Sequence, residues 1–146
     1  MTTPWTLTFD ASDAPALAAF WAVALGYVPA PPPAGFASWE EWYERFDVPA
    51  AERDELASIA DPEGVRPGIS FLRVPEPKTA KNRVHLDVQA GGGRAVDQGE
   101  RWTRITATVD RLTTAGGRVV RVDARGDGTP DHVVMTDPEG NEFCVV

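Results

Sequence analysis

The sequence predicts an α+β protein built from two βαβββ modules, and three observations carry that expectation. Asp-Pro-Glu-Gly occurs at 61–64 and returns at 137–140, about half a chain length further on. Each half opens on a segment of period-two alternation, WTLTF at 5–9 and VHLDV at 84–88, which is the signature of a strand with one buried face. Each opening segment is followed by apolar residues at helical spacing and then by short strand-like runs. Alone, the tetrapeptide is a common type I turn with Pro second and Gly fourth, so the weight rests on its matching surroundings.

In chain order, Trp5, Leu7 and Phe9 form the apolar face of the first strand and Thr6 and Thr8 the polar one. A helix follows over about 13–25, where Ser12 or Asp13 caps the start, Pro15 suits the first turn and Gly26 ends it. Its stripe is Leu17, Phe20, Trp21, Ala24 and Leu25. Residues 29–55 read as an insertion, with PAPPPAGF leading into the short helix SWEEWYERF, whose capping box pairs Ser38 with Glu41. ELASIA and GISFLRV, on either side of the first repeated turn, supply the closing strands of module one. A linker over 75–83 leads to VHLDV, then to a helix over about 100–115 with Trp102, Ile105, Val109 and Leu112 as its stripe and Gly116-Gly117 at its end. Strands near 118–124, 132–137 and 141–146 complete module two. The 146 residues suit one domain, module one over about 1–74 and module two over about 84–146.

Charge and composition exclude several functions. Asp and Glu outnumber Lys and Arg by 22 to 14, a net charge of -8 that repels nucleic-acid backbones and anionic membrane surfaces. The amino terminus lacks a basic region followed by an apolar run, and no stretch approaches the length of a membrane span, so a cytoplasmic protein is expected. Cys144 is the single cysteine; it reads as a small buried hydrophobe, and an internal disulfide or thiolate cluster is ruled out. There is no Ser-His-Asp order, phosphate loop or dinucleotide fingerprint.

The stretches ASDAPALAAFWAVALGY, GFASWEEW, VPEPKTAKNRVHLDV and VVMTDPEGNEFCV resemble the bacterial glyoxalase-like domains of the vicinal oxygen chelate superfamily, the group of glyoxalases, bleomycin-resistance proteins and extradiol dioxygenases. The resemblance covers nearly the whole chain. It implies that the two modules form a curved mixed sheet around a cup, that the cup takes a small organic ligand, and that the chain forms a homodimer. Its activity would be that of a metal-assisted lyase, isomerase or dioxygenase acting on vicinal oxygens; the alternative is a drug-sequestering protein of the resistance type without catalysis.

Metal-dependent members of that superfamily take one ligand from the first and one from the last strand of each module. By position, His85 and Glu142 supply them in module two, with Glu142 doubling as proton shuttle. In module one the same positions fall on Thr6, or Thr8 in shifted register, and on Ser70 or Phe71, none of them a usual ligand. The resemblance therefore leaves two cofactor states open, one divalent zinc, nickel, manganese or iron ion, or none. If His85 faces the cup, Arg83 and Asp87 share that face, and with Thr6, Thr8, Trp39, Trp42 and His132 they are the expected ligand-binding residues. Lys78, Lys81 and Arg83 form a basic cluster beside them, suited either to an anionic substrate group or to solvent.

Overall fold

A computed structural model of the chain describes residues 2–146. The chain falls into two compact units: residues up to Ala22 with Gly26–Pro77, and Val23–Leu25 with Lys78–Val146. Each carries a four-stranded mixed sheet, so the predicted α+β class and the doubled βαβββ order are observed.

The first unit contains β1 (Leu7–Ala11), α1 (Ala14–Leu25) apart from its last three residues, β2 (Val28–Pro29), α2 (Trp39–Arg45), a 3-10 turn (Ala50–Glu52), β3 (Leu56–Ala60) and β4 (Ile69–Arg73). Its strand order is β1-β4-β3-β2, with β1 parallel to β4 and the other pairs antiparallel. Asp13 caps α1 by accepting from the Ala16 N–H, and Gly26 ends it at φ 70°, a left-handed conformation that favours glycine. Leu17, Phe20 and Trp21 are buried, and Trp21 packs against Phe9 of β1, whose ring stacks on Phe71 of β4. Two expectations need correction. The first strand starts at Leu7, and Trp5 is 66% exposed, because β4 offers no partner before Ile69 and the ladder opens at the Leu7 N–H to Gly68 carbonyl bond. Pro29, expected in the insertion, is the last residue of β2 and pairs with Ile59.

The second unit contains β5 (Asp87–Val88), α3 (Gln98–Thr114), β6 (Arg118–Ala124), β7 (Pro130–Thr136) and β8 (Glu142–Val145). Its order, β5-β8-β7-β6, repeats the first unit's topology, again with only the outermost pair, β5 and β8, parallel. Phe143 and Val145 of β8 stand opposite Met135 and Val133 of β7, and all four are buried on the face that α3 covers with Ile105 and Leu112. The α3 stripe differs from the expected one. Arg101, Ile105, Thr108 and Leu112 are buried, while Trp102 and Val109 sit at its edge, half-buried. The strand expected over 84–88 is only two residues long, and Val84 is 69% exposed, since β8 begins at Glu142 and in this register reaches back no further than His85.

Both repeated turns are built alike. Asp61 is buried and accepts from the N–H groups of Glu63, Val65 and Arg66; Asp137 is buried and accepts from those of Glu139 and Asn141 and from the Asn141 side-chain amide. A buried carboxylate is stable only when its oxygens are so satisfied. Gly64 and Gly140 close the turns at φ 66° and 87°.

Candidate functional site

The polar face of the second unit's sheet, opposite the one under α3, is set by register. Asp87 stands beside Cys144, Cys144 beside Val134 and Val134 beside Arg121 across the four strands. Cys144 is half-buried, and burial pushes its thiol up, with the Asp87 carboxylate to which it donates adding to the effect.

At the start of β8 the same register carries His85 to Glu142: the ladder extends one bond beyond β5, from the Cys144 N–H to the Leu86 carbonyl. His85 Nε2 lies 3.6 Å from Glu142 Oε2, and both side chains are partly exposed. Lys81 donates to that same Oε2, and the Asn82 side-chain oxygen accepts from the Glu142 N–H at 3.1 Å. The Lys81 ammonium, with the charges of His85 and Lys78 adding to it, holds the Glu142 carboxyl below the usual carboxylate range. The Lys78 ammonium donates to the Ala80 carbonyl, so the basic cluster splits between a loop cap and Glu142, and Arg83 is exposed on a bend.

His85 and Glu142 do not by themselves fit a catalytic metal. Such an ion takes about three protein ligands plus water. Among the described residues no group of three or more His, Cys, Asp and Glu side chains is placed to hold one. The Glu142 oxygen nearest His85 already carries an ammonium.

Further along the strands, Asp131 at the start of β7 accepts from Arg94 at 2.7 and 3.3 Å and from Arg125 at 3.0 Å, and these cations hold its carboxyl well below the usual range. His132 lies between two carboxylates, its Nδ1 3.2 Å from Asp131 and its Nε2 3.1 Å from Asp123. It was expected as a ligand-binding residue; here both its ring nitrogens face aspartates. Arg94 and Arg101, with Asp87, Gln89, Gly93 and Val146, line a cavity of about 230 Å³. Sequence reasoning missed Arg94, Arg101 and Asp131. The available signal was Arg101 itself, four residues before Ile105 and so on the buried stripe.

In the first unit, Thr6 precedes β1, and Thr8 is exposed on the face where Ser70 stands opposite it and meets Ser58 Oγ at 3.0 Å. Trp39 and Trp42 belong to α2, which has no buried residue. Trp39 Nε1 donates to the Ala30 carbonyl, and the rings of Trp39, Trp42, Tyr43 and Phe46 cluster with centroids 5.0 to 6.1 Å apart. Tyr43 donates to the Arg53 carbonyl, and Arg53 pairs with Glu40.

Comparison with known proteins gives one family model, described as a glyoxalase-like domain, which matches residues 6–146. Among solved structures, a glyoxalase/bleomycin resistance protein/dioxygenase family enzyme from Burkholderia phytofirmans PsJN is similar at 14% identity and TM-score 0.57, over 96% of this chain and 94% of that one. A hypothetical protein from S. aureus is similar at 14% identity and TM-score 0.58, over 99% and 96%. A mutant of the fosfomycin resistance protein FosX from Listeria monocytogenes, complexed with Mn(II) and 1S,2S-dihydroxypropylphosphonic acid, is similar at 11% identity and TM-score 0.60, over 99% and 89%. At these identities the likeness is one of fold. No curated protein matches the chain.

Proposed function

The chain belongs to the glyoxalase-like domain family, and on that premise we propose that it binds a small organic molecule on the polar face of its second sheet without transforming it through a metal. The observation that carries this reading is the Lys81 ammonium on Glu142 Oε2. It places a positive charge where a divalent ion would compete, and leaves His85 and Glu142 as hydrogen-bonding groups for a ligand. Arg83 remains a candidate contact for that ligand. Within the first unit, Thr6, Thr8, Trp39 and Trp42 remain candidate ligand contacts of their own, the tryptophans with Phe46 offering aromatic surface of the kind that stacks on flat ligands. The inherited expectations of a cytoplasmic location and a homodimer belong to the same proposal, and light scattering on the purified protein checks the second.

A metal-assisted lyase, isomerase or dioxygenase is the second reading. It is favoured by the placement of His85 beside Glu142 and by the Mn(II) in the FosX complex. Lys81 is mostly exposed, and an exposed ion pair of this kind is worth little, so it is not a permanent barrier to a cation.

Calorimetric titration of the wild type and of His85→Ala with Mn²⁺, Ni²⁺ and Zn²⁺ tests the choice. The binding reading expects no saturable uptake by the wild type. Saturable uptake that His85→Ala abolishes would establish the second reading instead.

A further inference from the structure

Arg101 occupies a helix position that packing ordinarily gives to an aliphatic side chain, one turn before Ile105 on the buried stripe of α3. Its side chain is 4% exposed, and its Nη1 is buried with no hydrogen-bond partner among the described residues. The Asp131 Oδ1 oxygen lies 3.6 Å away, within ion-pair range and beyond hydrogen-bond reach. Asp131 has no acceptor site to spare. A carboxylate offers about four lone-pair positions, and Arg94 meets two of them, Arg125 a third and His132 Nδ1 the fourth. One guanidinium nitrogen is thus left desolvated and unanswered, an expensive arrangement unless something else answers it.

Arg101 is also seated by the backbone. A Cβ at residue 91 would lie 2.7 Å from Arg101 Cγ and 3.2 Å from its Nε, so Gly91 is what lets the side chain pass. Arg101 and Arg94 both line the 230 Å³ cavity, with Gln89 adding an amide. That volume falls below the roughly 300–1,000 Å³ of pockets for whole drug-sized ligands; it suits a small molecule or the end group of a larger one. Among the charged side chains that line it, Arg94 and Arg101 outnumber Asp87. Arg94 is mostly exposed, so its guanidinium can exchange Asp131 for an incoming group.

We propose that this cavity is an oxyanion-binding subsite, in which Arg101 and Arg94 hold the carboxylate or phosphate group of a small organic ligand. The planar guanidinium fork matches both groups. The proposal goes beyond the reading of Lys81, His85 and Glu142 and does not rest on it. Those residues stand at the start of β8, this cavity at the far ends of β5 and β8.

The test is calorimetric titration of the full chain with inorganic phosphate and, separately, with acetate, at constant ionic strength set by chloride. The wild type is expected to bind at least one of them saturably. Arg101→Met and Arg94→Gln should each weaken that binding about tenfold or more, as loss of a hydrogen bond to a charged group does. Arg111→Gln, an exposed cation elsewhere on α3, should leave it unchanged. Preference for phosphate or acetate then identifies the group. Should Arg101→Met fail to fold, Arg94→Gln carries the test, because its side chain is exposed. Absence of saturable binding of either anion by the wild type, or binding that survives both substitutions, would overturn the proposal.

Discussion

Individual carboxylates organise this molecule at the scale of single residues. Asp137 answers two backbone N–H groups and an amide inside the second repeated turn, so its removal strands all three. Asp137→Ala is expected to lower unfolding free energy by about 2–4 kcal/mol, measured by urea denaturation. Asp131 makes a pH prediction. Its carboxyl lies lower in the folded than in the unfolded chain because Arg94 and Arg125 donate to it. Its contribution is therefore complete above the unfolded value near pH 4 and is lost as pH falls from there toward the folded value. The stability gap between wild type and Asp131→Asn should be constant above about pH 5 and shrink below about pH 4, read from denaturation midpoints across that range. The repeated Asp-Pro-Glu-Gly announced two turns, but it did not announce the buried aspartate. That role emerges only when the backbone folds its N–H groups around the side chain.

Among the elements, helices were more legible than strand ends. Helix α1 follows from its cap, its stripe and Gly26, all local signals. Strands β1 and β5 are shorter or later than their alternation suggests, because a ladder needs a neighbour, and where β4 and β8 begin is not written in the opening segments. Ile105 and Leu112 of the expected α3 stripe are buried, but Trp102 and Val109 each stand one position past the buried residue, Arg101 and Thr108. Trp102 looks the better core residue, yet Arg101 is buried because its guanidinium finds Asp131 and a cavity from another part of the chain. Helix α2 provides a contrast that stability measurements can read. Trp21 is buried between aromatic neighbours, whereas Trp42 clusters on a seven-residue helix without a buried residue. Trp21→Ala should cost about 3–5 kcal/mol and Trp42→Ala about 1 kcal/mol or less, by chemical denaturation. Equal costs would mean that α2 is anchored more firmly than its exposure indicates.

Over the whole molecule, two units with the same strand order justify reading the halves as repeats, and the pairing of His85 with Glu142 follows from the parallel neighbours that this order creates. That proximity was visible in the sequence. Its electrostatic state was not, because Lys81 lies in the linker, 61 residues from the Glu142 it engages. Nor was the arginine cavity, whose members come from a loop, the first turn of α3 and the ends of two strands. The account stands on the claim that Lys81 commits Glu142 away from metal. With only two histidines in the chain, the imidazole resonances of His85 can be assigned by comparing wild type with His85→Ala, and followed by proton NMR during addition of Mn²⁺ below one equivalent. The account predicts that the His85 and His132 resonances broaden together, without selectivity; selective broadening of His85 at low Mn²⁺ would contradict it.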